Sequence, residues 1–260
     1  MAKNSSEKTS AGKNKESRWF GYNEVDPAEK TRRVIGVFDS VADRYDLMND
    51  IMSAGIHRLW KNRFVRMMRP AAHKVLLDVA GGTGDIAFRY REKAGKDAQI
   101  TVSDLNAEML RVGQKRAIDR GYVSGFSWVE ANAESLPFDD NSFDLYSISF
   151  GLRNVTHIDD ALAEAFRVLR PGGQFFCLEF SQVSDPLLRK IYDRYSFSFI
   201  PAMGELVAKD RESYQYLAES IRQFPTRVQL KRRLEAAGFE QVKAIPLTGG
   251  ISAIHIGNKI

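Results

Sequence analysis

From Val75 onward, short apolar runs alternate with amphipathic stretches, the pattern of a βαβ chain. Val75–Val79 is continuously apolar but for Asp78, which predicts a strand buried on both faces. Further strands are expected at Gln99–Ser103, Phe126–Glu130, Ser142–Phe150, Gln174–Phe180, Phe239–Ile245 and Ile251–Gly257. Between them fall helical stretches, Asp85–Ala94, Asn106–Arg120 with Asn106 as N-cap, and Ile158–Leu169 ended by Arg170-Pro171-Gly172-Gly173. A basic helix, Arg227–Ala237, is closed by Gly238, and Gln182–Pro225 reads as a helical insertion. Strands alternating with helices in this way predict a doubly wound, mostly parallel α/β sheet of seven strands, a Rossmann-like fold.

The first strand runs into Gly81-Gly82-Thr83-Gly84 and then Asp85, where a helix begins. Strand, glycine turn and helix make the first unit of a nucleotide site. Gly82-x-Gly84-x-x-Ala87 also fits the dinucleotide fingerprint, and Asp104 follows at the fingerprint's spacing of about 20 residues. The charges discriminate. A pyrophosphate on a helix N-terminus is disfavoured by neighbouring carboxylates, and Asp78 and Asp85 bracket this loop. Two carboxylates suit a cationic ligand, and S-adenosylmethionine carries both an ammonium and a sulfonium. The plainer alternative makes Asp78 a hydrogen-bonded strand end and Asp85 an ordinary N-cap.

Composition narrows the class little further. The chain has 260 residues, enough for one α/β domain with additions, and a single cysteine, Cys177, in an apolar run, which reads as core. One cysteine and four histidines give no readable metal site and point to the cell interior. The net charge is +5 and the pI about 9.2, which permits an anionic partner without requiring one. No apolar run is long enough to span a bilayer. Residues 1–17 are rich in Lys, Ser, Asn and Gly and read as a disordered tail, leaving 18–260 as the domain.

Two stretches carry candidate surfaces. In His57–Arg69, Ile56, Trp60, Phe64 and Met67 share a face while Arg58, Lys61, Arg66 and Arg69 lie mostly elsewhere. It reads either as a packing helix with a solvated basic side or as an element that touches anionic lipid headgroups. The insertion holds Tyr192, Tyr195, Phe197, Phe199, Tyr214, Tyr216 and Phe224, which read equally as helix core or as the wall of an apolar pocket.

The motifs V-L-L-D-V-A-G-G-T-G-D, S-D-L-N, N-A-E-S-L-P-F and V-L-R-P-G-G together resemble class I S-adenosylmethionine-dependent methyltransferases. Two longer stretches, Phe38–Lys61 and S-F-G-L-R-N-V-T at Ser149–Thr156, resemble the ubiquinone/menaquinone biosynthesis C-methyltransferase family. The resemblance runs from about Phe38 to Ile260. It implies a sheet of order 3-2-1-4-5-7-6 with an antiparallel last strand. It also implies S-adenosylmethionine as cofactor, bound by Thr83, Asp104, Asn132, Ala133 and Ser149. The implied acceptors are 2-polyprenyl-6-methoxy-1,4-benzoquinol and demethylmenaquinol, methylated on a ring carbon. A prenylated acceptor implies a protein that visits the membrane surface from the cytoplasmic side. A homodimer and contact with other quinone-biosynthesis enzymes are compatible with the sequence and not readable from it.

Such chemistry needs the acceptor carbon aligned with the methyl group and the acceptor's phenol ionised. Arg153 and Asn154, after the fourth strand, are the expected catalytic residues. Arg153 stays protonated and would stabilise the phenolate directly or through a water, and Asn154 would hold the second oxygen. Tyr45 and His57 are alternative acid/base groups, read more simply as a core aromatic and a helix-cap histidine. Three other readings stand beside this one. An NAD-dependent oxidoreductase leaves Asp78 with Asp85 unexplained. An RNA methyltransferase lacks its usual appendage or N-P-P-Y-like motif here, so nucleic acid is not expected. A non-catalytic cofactor-binding scaffold sits poorly with an intact F-G-L-R-N-V-T loop.

Overall fold

The computed structural model describes residues 19–41, 55–183 and 211–260, with Asp50, Ser53, Lys190 and Arg194 as single positions. In chain order its elements are β1 (Trp19–Phe20), β2 (Asn23–Glu24), α1 (Pro27–Val41), α2 (His57–Met67), β3 (Val75–Val79), α3 (Asp85–Ala94), β4 (Gln99–Asp104), α4 (Ala107–Asp119), β5 (Phe126–Glu130), β6 (Phe143–Ser149), α5 (Ile158–Val168), β7 (Leu169–Phe180), α6 (Arg211–Gln223), α7 (Arg227–Ala236), β8 (Glu240–Leu247) and β9 (Ser252–Asn258). The N-terminal tail, Tyr45, and Tyr192, Tyr195, Phe197 and Phe199 of the insertion lie outside the described residues.

Seven strands form one sheet in the order β5-β4-β3-β6-β7-β9-β8. β3 pairs in parallel with β4 and β6, β4 with β5, and β6 with β7, while β9 runs antiparallel between β7 and β8. Numbered along the sheet strands this is 3-2-1-4-5-7-6, as the resemblance implied. The apolar runs are continuous because both faces are covered. Successive side chains feed opposite cores: Leu76, Ile100, Val102, Leu145, Phe176 and Leu178 enter one, and Leu77, Val79, Tyr146, Ile148, Phe175 and Cys177 the other. Chain direction across the sheet reverses on either side of β3, so the ligand crevice is expected at the carboxyl ends of β3, β4 and β6.

Two expectations need correction. Arg170–Gly173 does not separate α5 from a strand at Gln174, because β7 already pairs at Leu169. The register against β6 jumps from Phe143↔Leu169 to Leu145↔Gln174. The intervening backbone finds partners elsewhere: Gly172 N donates to the Lys259 carbonyl at 2.7 Å and Lys259 N to the Gly173 carbonyl at 3.0 Å. In the insertion, Tyr214, Tyr216 and Phe224 are buried and packed into the hydrophobic core. In α2 the buried face is His57, Trp60, Lys61, Phe64 and Val65 rather than one free of cations. Lys61 therefore leaves the basic side and turns inward.

Candidate active site

A cavity opens at the carboxyl ends of β3, β4, β5 and β6, and α1 lies over it through Thr31, Val34, Ile35 and Phe38. Its floor is the glycine loop. Gly81 lies so close to Val102 and to the Asp78 carbonyl that a Cβ would sit 2.6 Å from Val102 Cγ1. Gly84 caps α3 in the left-handed region, at φ +83°, where a Cβ would meet Trp128 and Phe88. Asp85 is thus the first residue of the helix and not its N-cap, which corrects the plainer reading of that carboxylate.

The two acidic residues of the loop differ in kind. Asp85 is neutralised: Lys61 Nζ donates to its Oδ2 and Arg89 Nε to its Oδ1, each at 2.8 Å. Although burial works against it, these two cations hold the carboxyl down to about 2. Among the described residues Asp78 has no cation partner. Ser147 Oγ donates to its Oδ1 at 2.6 Å, and its buried Oδ2 has no hydrogen-bond partner among them. Burial lifts this carboxyl to about 7, helped by the neighbouring charges of Asp85 and Asp104 and opposed by Ser147 and the nearby backbone N–H of Ala87. A buried, uncompensated carboxylate is costly, and a cationic ligand removes the cost. The preference for a cation therefore rests on Asp78 alone and not on the pair.

The structure brings all five expected cofactor residues to this cavity. Asp104 Oδ2 accepts from Gly82 N and Oδ1 from Asn106 N, both at 2.9 Å. The carboxylate thereby holds the loop, and burial lifts it to about 6 despite those donors. Thr83 is buried and accepts from Arg116 Nη1 at 3.0 Å. Asn132 is exposed and closes an Asx turn on Glu134 N at 3.0 Å, while Ala133 beside it is buried. Ser149 Oγ is buried with no hydrogen-bond partner among the described residues, an orphaned hydroxyl at the cavity wall. Orphaned Asp78 Oδ2 and Ser149 Oγ are unmet hydrogen-bonding capacity of the kind a bound polar ligand satisfies.

The expected catalytic residues part company. Asn154 lines the cavity, and its Oδ1 accepts from Tyr216 Oη at 3.1 Å. Arg153 is not among the lining residues. Its guanidinium is buried, Nη1 donating to Glu179 Oε1 at 2.9 Å and to the Phe150 carbonyl, while Nε and Nη2 have no hydrogen-bond partner among the described residues. His57 also lies outside the lining; its Nε2 pairs with Asp50 Oδ1 at 2.8 Å and burial holds its pKa below the ordinary value.

Sequence reasoning missed Lys61 and the Glu134–His157 pair as members of this cavity. Glu134 Oε1 accepts from Thr156 N and His157 N, and its Oε2 pairs with His157 Nδ1 at 2.7 Å, joining the loops after β5 and β6. With Asp160 these groups place three potential metal ligands within 4.8 Å of one another, but both Glu134 oxygens are already engaged. The signal for Lys61 was available: 57, 60, 61, 64, 65 and 68 have the i, i+3, i+4, i+7, i+8, i+11 spacing of a buried helix face, with a lysine inside it.

The seven-stranded sheet and the cavity define a class I S-adenosylmethionine-dependent methyltransferase. A SAM-dependent methyltransferase from Thermotoga maritima shares the fold, with a TM-score of 0.61 and 18% identity over 86% of this chain and 99% of that one. The profile of the ubiE/COQ5 methyltransferase family matches residues 27–259, and the chain belongs to that family. It is 54% identical, over 93% of its length and 90% of the relative's, to the ubiquinone/menaquinone biosynthesis C-methyltransferase UbiE of Brucella abortus strain S19. It is 50% identical, over 93% of its length and 84% of the relative's, to the mitochondrial 2-methoxy-6-polyprenyl-1,4-benzoquinol methylase of Mus musculus.

Proposed function

We propose that this chain methylates a ring carbon of a prenylated quinol, 2-polyprenyl-6-methoxy-1,4-benzoquinol or demethylmenaquinol. The observation that carries the reading is the cavity at the glycine loop, acidic at Asp78 and with orphaned polar atoms at Asp78 and Ser149, in a chain of this family. S-adenosylmethionine, when bound there, supplies an already activated methyl group. Thr83, Asp104, Asn132, Ala133 and Ser149 hold it, with Asp104 facing the ribose and Asp78 its cationic end. Asn154 offers its amide Nδ2 to a quinol oxygen, its Oδ1 being fixed by Tyr216. Arg153, whose guanidinium lies outside the cavity lining, supplies the charge that favours the phenolate through a water, from Nε and Nη2, which Glu179 leaves unused.

The acceptor's tail requires access to lipid, and no helix among the described residues is long and apolar enough to cross a membrane. The outer face of α2 fits peripheral contact with the cytoplasmic face of a membrane. Leu59 is 68% exposed there, and Arg63, Arg66 and Lys93 beside it have no ion-pair partner among the described residues. Flotation with anionic liposomes tests this contact: replacing the three cations by Ser abolishes flotation, and unchanged flotation removes the electrostatic part of the proposal.

Turnover with labelled S-adenosylmethionine on short-tailed versions of both quinols, kept reduced, tests the reaction. Transfer to either supports the reading and names the pathway served. Cofactor binding without transfer to either would favour the scaffold reading.

A further inference from the structure

The charges around the cavity carry an assignment that the cofactor positions above leave open. We propose that Lys61, reaching in from α2, binds the α-carboxylate of the cofactor's amino-acid end; this rests on the S-adenosylmethionine reading and deepens it. The ligand has two cationic groups and one anionic one, and each needs a counterpart. Among the described residues that line the cavity, the charged or titratable side chains are Lys61, Asp78, Asp85, Asp104, Glu134 and His157. Four are carboxylic acids and one is a lysine. Among these six groups a ligand carboxylate is repelled by the four acids, and Lys61 is the ammonium that attracts it.

Lys61 is built for that contact. Its side chain is 4% exposed, and an ammonium so deeply placed needs charge partners. It commits one of its three N–H donors to Asp85 Oδ2, leaving two. Asp85 does not cancel it fully, because Arg89 Nε shares the same carboxylate and is itself fixed by Asn62. One carboxylate between two cations leaves this cluster a net positive charge. The glycine loop runs between that positive group at Asp85 and the unpaired Asp78 Oδ2 at its other end. A positive and a negative pole flanking one loop match a zwitterionic amino-acid end, the ammonium to Asp78 and the carboxylate to Lys61. The same contact ties α2 to the bound cofactor.

The test compares four ligands by calorimetry on the full chain and on Lys61→Met: S-adenosylmethionine, S-adenosylhomocysteine, decarboxylated S-adenosylmethionine, and methylthioadenosine, which lacks the amino-acid end. The unaltered protein binds S-adenosylmethionine at least about tenfold more tightly than its decarboxylated form, the scale of one charge-assisted contact. In Lys61→Met the two carboxylate-bearing ligands weaken about tenfold, methylthioadenosine is unchanged, and the decarboxylated ligand is unchanged or tighter. An equal loss for all four ligands makes Lys61 only an anchor for α2 and overturns the proposal. So does an unaltered protein that fails to discriminate against the decarboxylated ligand, a result that needs no variant. If the unaltered protein binds neither S-adenosylmethionine nor S-adenosylhomocysteine, the methyl-donor reading itself fails.

Discussion

Replacing Asp78 by Asn should make the ligand-free protein more stable and the cofactor site worse. Asp78 is 1% exposed, and burial lifts its carboxyl to about 7 from an ordinary value near 3.8. A carboxyl whose pKa is raised by folding binds more protons in the folded state between those values. Stability is therefore gained as pH falls through about 7 and lost as pH rises. The shift of about 3 units corresponds to a cost of about 4 kcal/mol at pH 8, shrinking below about 2 kcal/mol at pH 5. Asn cannot ionise, so Asp78→Asn recovers that amount and raises the apparent Tm at pH 8 by on the order of 10 °C, with a smaller gain at pH 5. Cofactor affinity moves the other way. A cationic ligand requires ionised Asp78, so its Kd in the unaltered protein rises about tenfold from pH 8 to pH 6. The variant binds weakly, without the step centred near pH 7. Thermal melts across pH and calorimetry at the same values measure both effects. A variant less stable than its parent at pH 8, or an unaltered protein whose affinity is flat between pH 8 and 6, refutes the reasoning.

Ser147→Ala removes the donor that lowers the Asp78 carboxyl. The pH at which cofactor affinity is half lost then shifts upward, by up to about one unit, and affinity recovers at pH 9; an unmoved midpoint shows that Ser147 does not act on Asp78. Arg153→Met leaves Glu179 buried without its cation, which destabilises by about 3–5 kcal/mol in chemical denaturation. Adding Glu179→Gln restores most of that stability but not turnover, which stays about 100-fold down in kcat. Recovery of turnover in the double variant would make the pair structural only.

What was legible in the sequence is what local pattern carries. β3 and its glycine turn were readable because a doubly buried strand is continuously apolar and because few residues other than glycine pass between Val102 and Trp128. The strand order came through the resemblance, since pairing partners such as Phe176 and Ile256 lie far apart in the chain. Long-range pairings were the losses. Asp85 looked like a free carboxylate because one of its two cations, Lys61, lies 24 residues upstream on another element. Arg153 looked like a group beside the substrate because Glu179, which takes its Nη1, is 26 residues downstream on β7. Arg-Pro-Gly-Gly looked like a plain turn because its backbone partner is Lys259, next to the last residue of the chain. In each case the residue type was read correctly and its partner was not.

The most direct test of the central claim is the destination of the methyl group. The protein, S-adenosylmethionine labelled with 13C in its methyl and a short-tailed, reduced 6-methoxy-benzoquinol would be incubated together and the product examined by NMR. The account predicts a labelled methyl bonded to a ring carbon, with one ring hydrogen lost, and the same outcome on demethylmenaquinol if the host uses that pathway. A labelled methyl on oxygen, or label that stays on the cofactor with both acceptors, would contradict it.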